Sequence, residues 1–307
     1  MIVEAAAAVL LAGLLTGLLS NRLAHRLPPR QAVPLLTGLA LTVAACTGIV
    51  LSAMAILALA QLGPVPRMGH WSAPVLRAQA GFPVVVGVAA FGVVSGCLIA
   101  ATVRVAVSAR ALVRAARVAR TLTPVAGDLV LVDDDVPTAY AVAGWHGRIV
   151  VSRAMLEALP ADERRVVLAH EAAHLRHRHH LYLHLAALSA AANPLLRRTA
   201  AAISLGVERW ADEQAASEVR DRATTARGLA RAALAQARHP HVVGGLAMAG
   251  SAVAERVRAL QQPEPAPRRL APALVITAAL ACWLAAGAAT SRVDELIQLA
   301  ERVFTRN

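Results

Sequence analysis

Lysine is absent from the 307-residue chain, aromatic residues supply only 3% of it and charged residues only 16%. So little charge beside 57% hydrophobic residues excludes an intrinsically disordered chain, which would be rich in charge and poor in apolar side chains. A mean hydropathy of +0.54 excludes an ordinary soluble globule as well, because that apolar surplus has to be lodged away from water. Cysteine is scarce. Cys46, Cys97 and Cys282 fall in separate apolar runs, none with a partner at metal-ligand spacing, which excludes a disulfide framework and a thiolate metal site. No internal repeat is present, and low complexity is limited to a general richness in alanine.

Four charge-free runs cover residues 5–20, 31–66, 78–103 and 270–291. Crossing a bilayer takes about 20 apolar residues, so with their flanks these runs predict transmembrane helices over about 2–21, 32–62, 80–103 and 270–291. The first four residues carry no cation, unlike the start of a secretory signal peptide, and the first run is expected to remain as an anchor.

Arginines set the orientation, because cytoplasmic loops are enriched in positive charge. Arg22, Arg26 and Arg30 follow the first run, and Arg104, Arg110, Arg114, Arg117 and Arg120 follow the third. Both groups are expected inside. That places the amino terminus outside and the long segment after the third run in the cytoplasm, in a multi-pass protein of the inner (cytoplasmic) membrane. The net charge of +12 and the isoelectric point near 11.4 are due to arginine alone. Because these arginines flank the apolar runs rather than forming one motif, their expected partner is lipid headgroup, and no direct nucleic-acid partner is expected.

The organisation that follows is a membrane region over 1–121 ending in a basic juxtamembrane helix, and a cytoplasmic domain over 122–262. A proline-rich linker over 263–269 leads to the fourth span, and a short extracytoplasmic tail covers 292–307. The middle segment, roughly 140 residues, is long enough for one compact domain. Its first part has short runs rich in Val, Leu and Ile over 128–132 and 148–152, bounded by turn residues at 133–135 and 144–147, which predict strands. From Arg153 the pattern is helical. The charge-free stretch 182–196 is too short to span and predicts a helix buried or grazing the membrane beside its neighbour. The fold class expected is mainly α, with four transmembrane helices and an α+β domain containing a small sheet.

A helix is expected to begin at Pro160, Asp162 and Glu163, since proline in the first turn and acids near the positive end of the helix dipole are both favourable. It leads into His170-Glu171-Ala172-Ala173-His174. Imidazoles four residues apart lie on one helix face, where both can bind one zinc ion, and Glu171 stands beside them as a candidate general base. The further histidines His177, His179, His180 and His184 also fit a merely solvated helix. A third ligand is needed, and two candidates compete. His180 has the spacing of a metzincin's third histidine, but His177 occupies the position where those enzymes need a turning glycine. Glu208 lies on a later helical segment, four residues before Asp212 and on the same face, so the glutamate could close the site while the aspartate bonds a ligating imidazole.

Several segments together resemble the BlaR/MecR-like integral-membrane zinc metallopeptidases, to which the Ste-type prenyl-protein and HtpX-type heat-shock proteases are related. The likeness is carried by Ala139-Tyr140-Ala141 before the second strand run, the run 156–168 leading into His170 to His174, Asn193-Pro194-Leu195-Leu196, the stretch 208–213 and Glu255-Arg256-Val257. It covers residues 128–260 and the arrangement of three spans before the domain and one after it. The resemblance implies a gluzincin-like zinc metalloprotease domain holding one Zn2+. In it His170, His174 and Glu208 are the metal ligands, Glu171 is the catalytic base, Asp212 supports a ligand, and Arg256 contacts the substrate or transition state. Residues 139, 140 and 141 become a candidate edge strand to which a substrate peptide adds. The extracellular penicillin-binding domain of the antibiotic sensors has no counterpart in the sequence.

The chain is thus expected to be a zinc metalloendopeptidase acting on cytoplasmic or membrane proteins. The resemblance implies signalling, by cleavage of a BlaI/MecI-like transcriptional repressor. Quality control of membrane proteins is the alternative, and a non-catalytic metal-binding membrane scaffold is a second one.

Overall fold

The computed structural model describes residues 1–144, 147–238 and 246–306. Part of the turn expected over 144–147, the pair His239-Pro240 and the final residue of the tail lie outside the described residues. The fold is mainly α. Among the described residues four helices are long and apolar enough to cross a membrane: α1 (Ile2–Arg26), α2 (Pro29–Leu59), α5 (Val84–Thr121) and α12 (Leu270–Phe304). Two short helices, α3 (Val65–Met68) and α4 (Ala73–Gln79), fill the connection between α2 and α5.

These helices run beyond the charge-free stretches. Nothing in residues 104–121 breaks a helix, so the third apolar run and the basic stretch after it form one continuous rod, α5. Likewise α12 continues through Arg292 to Phe304, and the backbone N–H of Ser72 donates to the Ala300 carbonyl at 3.0 Å, tying the chain's end to the α2–α5 connection. The two therefore lie on one side of the bundle.

α2 is the centre of the apolar core, packed by α1, α5 and α12 around Val9, Val43, Leu57 and Leu296. Close approach depends on two glycines. A Cβ on Gly87 would come 2.7 Å from the Met54 carbonyl oxygen across the α2–α5 contact, and one on Gly17 would come 2.6 Å from that of Leu195.

The remaining elements form an α+β unit. Strands β1 (Leu129–Val132), β2 (Ala139–Val142) and β3 (Arg148–Ser152) make a sheet of order β1-β3-β2, with β1 parallel and β2 antiparallel to the central β3. Ser152 ends the sheet and starts α6 (Arg153–Ala158): its hydroxyl accepts from the N–H of Met155 at 3.1 Å, an N-cap, and from that of Thr138 at 2.9 Å. There follow α7 (Ala161–Arg176), α8 (His179–Ala192), a single 3-10 turn (Pro194–Leu196), α9 (Arg197–Val219), α10 (Arg222–Ala237) and α11 (Leu246–Leu260).

This unit is rooted in the bundle. The apolar α8 packs on α2, α5 and α9, in keeping with the buried helix expected over 182–196. At the turn after it, the amide of Asn193 donates to Thr47 Oγ1 of α2 at 3.2 Å, and Leu195 seats against Gly13 and Gly17 of α1. On α9 the buried Arg209 donates to the Ala24 carbonyl of α1 at 2.8 Å.

Candidate metal centre

α7 starts where Pro160, Asp162 and Glu163 place it and presents His170 and His174 on one face. A seam of small buried residues, Ala169 and Ala173 on α7 with Ala211 and Ala215 on α9, lets the two helices lie close. Glu208 of α9 is thereby brought over the histidines. Its Oε2 lies 3.6 Å from His170 Nε2 and its Oε1 3.7 Å from His174 Nε2. The two Nε2 atoms are 3.1 Å apart.

Among the described residues this trio is the group whose donor atoms converge, all within 4.8 Å of one another. The donor set tests well against a metal ion. Two ligands on one tetrahedral ion with bonds of about 2.0 Å stand ~3.3 Å apart, close to the Nε2 separation, and two imidazoles with one carboxylate leave a fourth position open. His180 lines the neighbouring cavity, and its nitrogens are not part of the converging group.

Each histidine has a partner on its far side. His170 Nδ1 lies 3.0 Å from Asp212 Oδ1. Asp212 is buried and accepts two hydrogen bonds from Arg256, Nε to Oδ2 and Nη2 to Oδ1, both at 2.7 Å; Arg256 Nη1 also stands 3.1 Å from Glu208 Oε2. The guanidinium that was expected to meet substrate is thus committed to two carboxylates, and it also borders the cavity beside Glu171.

His174 Nδ1 lies 3.1 Å from Nδ1 of His179, which is fully buried against the Trp210 ring. This contact depends on Arg178, whose left-handed conformation (φ 51°) reverses the chain between α7 and α8. Sequence reasoning missed it. Positions 174 and 179 do not share a helix face, and arginine gives no sign of a left-handed turn, which usually calls for glycine or asparagine.

Electrostatics separates the groups. Burial disfavours a charge on His170, but the adjacent carboxylates of Asp212 and Glu208 outweigh it and raise its pKa to about 10. Burial and the neighbouring His170 lower His174 to about 4, and burial with His174 and His177 lowers His179 to about 3. A neutral His179 can accept the Nδ1 hydrogen of His174, which turns the Nε2 lone pair of His174 toward Glu208. Burial opposes the charge on Glu208, yet His170 and Arg256 hold its carboxyl well below the usual range. Glu171 is pushed up, by burial above all, while His170, the Ala141 backbone amide and Arg256 work to keep it ionised.

Two cavities meet at this point. One, of about 180 Å³, is bordered by Ala139, His170, Glu171, Glu208 and Arg256. The other, of about 290 Å³, is bordered by Tyr140, Ala141, Glu171 and His174. Residues 139–141 belong to β2, an edge strand of the sheet, and the Tyr140 side chain is half exposed. A family model described as peptidase family M48 matches residues 105–264, just over half of the chain and a stretch containing every residue of this centre. No curated protein and no solved structure matches the chain.

Proposed function

We propose, from the premise that the chain belongs to peptidase family M48, a family of metallopeptidases, that it is a zinc-dependent endopeptidase of the inner membrane. The observation that carries this reading is the convergence of His170 Nε2, His174 Nε2 and the Glu208 carboxylate beside Glu171, in a cleft bordered by an edge strand.

His170, His174 and Glu208 would hold one Zn2+, a donor set that other divalent ions also accept. Bound there, zinc would supply Lewis-acid polarisation of the scissile carbonyl and would lower the pKa of the attacking water. Glu171 would take a proton from that water on its carboxylate and deliver it to the leaving amine; a carboxyl raised by burial is suited to both acts. Asp212 and His179 fix the ring orientations of His170 and His174. Arg256 holds Asp212 and Glu208 in place and keeps a positive charge beside the cavity of Glu171. The substrate backbone pairs with β2 at residues 139–141.

In this reading residues 122–262 form the catalytic domain on the cytoplasmic side, reached through the basic end of α5. Residues 263–269 link the domain to α12, and residues 292–307 lie on the far side with the amino terminus. The BlaR/MecR-like resemblance supports a signalling role in which a BlaI/MecI-like repressor is cleaved. A second reading, proteolysis of membrane proteins, is favoured by the rooting of α8 and α9 among α1, α2 and α5, which sets the cleft beside the bilayer.

Comparing protein termini in cells carrying the wild type or Glu171→Gln, with metal content measured on both purified proteins, tests the proposal. Both forms are expected to hold one zinc, and a set of new termini is expected only with the wild type. A repressor fragment among them selects signalling, and many membrane-protein fragments select quality control. Zinc without any Glu171-dependent terminus would overturn the peptidase in favour of a metal-binding scaffold, and absence of zinc would overturn the site.

A further inference from the structure

Away from the metal centre, α1, α2 and α12 border a cleft that reaches the first arginine cluster. Its lower part, about 630 Å³, is lined by Leu23, Leu35, Leu39, Leu270, Leu274 and Ala278. A second cavity of about 330 Å³ shares Leu23, Leu39 and Ala278 with it and continues along α1 to Ala8. From Arg26 to Ala8 the helix rises about 27 Å, more than the depth of one leaflet, about 15 Å. Above the mouth the walls are apolar apart from Thr16, and no acidic residue borders either part.

The mouth is different. Arg26, Arg268 and Arg269 border it. The arginine pair is held there by Gln31, whose side chain donates to the Arg268 carbonyl at 3.0 Å and accepts from the Arg268 N–H at 3.2 Å. Among the described residues none of these three arginines has a carboxylate within ion-pair distance. Their neighbours do: Arg30 stands 4.0 Å from Glu264 and His25 3.1 Å from Glu255. Three uncompensated cations fixed over a deep apolar groove, at the level where a membrane presents its phosphates, match a molecule with an anionic head and a hydrocarbon tail.

We propose that the α1–α12 cleft binds one anionic glycerophospholipid, its headgroup phosphate held by Arg26, Arg268 and Arg269 and an acyl chain lying along Leu23, Leu274 and Ala278. The site depends only on the chain lying in a bilayer, and is independent of the peptidase reading.

The test uses the full chain in non-ionic detergent, incubated with equal amounts of phosphatidylglycerol and phosphatidylcholine and examined by native mass spectrometry. The wild type is expected to retain one phosphatidylglycerol about 30-fold in excess of phosphatidylcholine, on the order of what two interfacial arginines supply. Arg268→Gln with Arg269→Gln should bring that excess to about twofold or less, and Ala278→Phe, which fills the groove, should reduce retention of both lipids. Arg165→Gln with Arg238→Gln, both exposed on the α+β unit, should change nothing, and lipid-free melting temperatures should match across the set, so that loss of lipid is separated from loss of fold. Glycerol 3-phosphate, a head without chains, should fail to displace the lipid. Equal retention of the two lipids by the wild type, a preference that survives the double arginine variant, undiminished retention by Ala278→Phe, or displacement by glycerol 3-phosphate would each overturn the proposal.

Discussion

Arg256 and Asp212 meet in a two-pronged ion pair with both hydrogen bonds at 2.7 Å, and Oδ1, the oxygen that accepts from Arg256 Nη2, also lies 3.0 Å from His170 Nδ1. A residue of α11 thus orients a histidine of α7 through an aspartate of α9, so three helices separated in sequence are fastened at one buried point.

Breaking this relay should be felt first in metal binding. Asp212→Ala is expected to weaken zinc affinity by about 10- to 100-fold, the usual cost of removing the partner of a ligating imidazole. Arg256→Ala leaves the Asp212 carboxylate buried without its cation, which should destabilise the domain by about 3 kcal/mol or more. Arg256→Lys should not restore it, since an ammonium cannot make the paired contact. Competition with a zinc chelator and thermal unfolding of the purified variants measure the two effects; wild-type affinity in Asp212→Ala would show that the aspartate has no orienting role.

A parallel expectation attaches to His179. His179→Phe keeps a ring against Trp210 but removes the acceptor for His174 Nδ1. Zinc affinity should fall by about tenfold, with partial recovery in His179→Asn, whose side-chain oxygen can accept the same hydrogen bond. If His179→Phe binds zinc as tightly as the wild type, the contact only fills space.

Asp221 provides a pH-dependent test outside the metal centre. It caps α10, accepting from the Thr224 N–H at 3.0 Å and the Thr224 hydroxyl at 2.6 Å, and these bonds hold its pKa below the ordinary value of 3.8. A depressed carboxyl stabilises the fold above that ordinary value and loses its contribution as pH falls through the lower, folded one. Asp221→Asn still caps the helix but cannot titrate. The ratio of amide protection in α10 between the wild type and Asp221→Asn should therefore be flat from neutral pH down to about pH 5 and turn against the wild type in more acid solution. A ratio that stays flat throughout would dismiss the cap as a source of pH dependence.

Gly87→Val should strain the α2–α5 contact, because any Cβ there meets the backbone oxygen of Met54, which cannot move aside without shifting the helix. Overpacking of this kind costs about 1–3 kcal/mol. A lowered melting temperature in detergent is expected for Gly87→Val but not for Gly92→Ala, where a Cβ would meet open space.

Much of this architecture is legible in the sequence because it rests on periodicity and charge alone. Four long apolar runs bounded by arginines mark the helices, the Val-rich runs mark two strands, and His170, Glu171 and His174 declare themselves by spacing along one helix. Glu208 and Asp212 stand out by spacing only as candidates beside His180, and the choice between Glu208 and His180 rests on the resemblance, since whether α9 lies against α7 depends on an alanine seam that no local pattern distinguishes from general alanine richness. The commitment of Arg256 to Asp212 was not legible, because a guanidinium's choice between substrate and protein carboxylates is made by tertiary distance. The inward turn of His179 escaped for a related reason: it depends on one backbone angle at Arg178.

The rooting of the α8–α9 hairpin in the bundle, through Asn193 on Thr47, Leu195 on the α1 glycines and Arg209 on Ala24, fixes the cleft at a set distance from the helices long and apolar enough to cross a membrane. If the proposed peptidase takes membrane-anchored substrates, an enzyme so mounted would work as a ruler. Such a substrate would be presented with only the peptide bonds lying that far from its own anchor, whatever the side chains around them. Lengthening its juxtamembrane segment would then move the cut along the chain by the same number of residues, so that position, more than sequence, would select the bond.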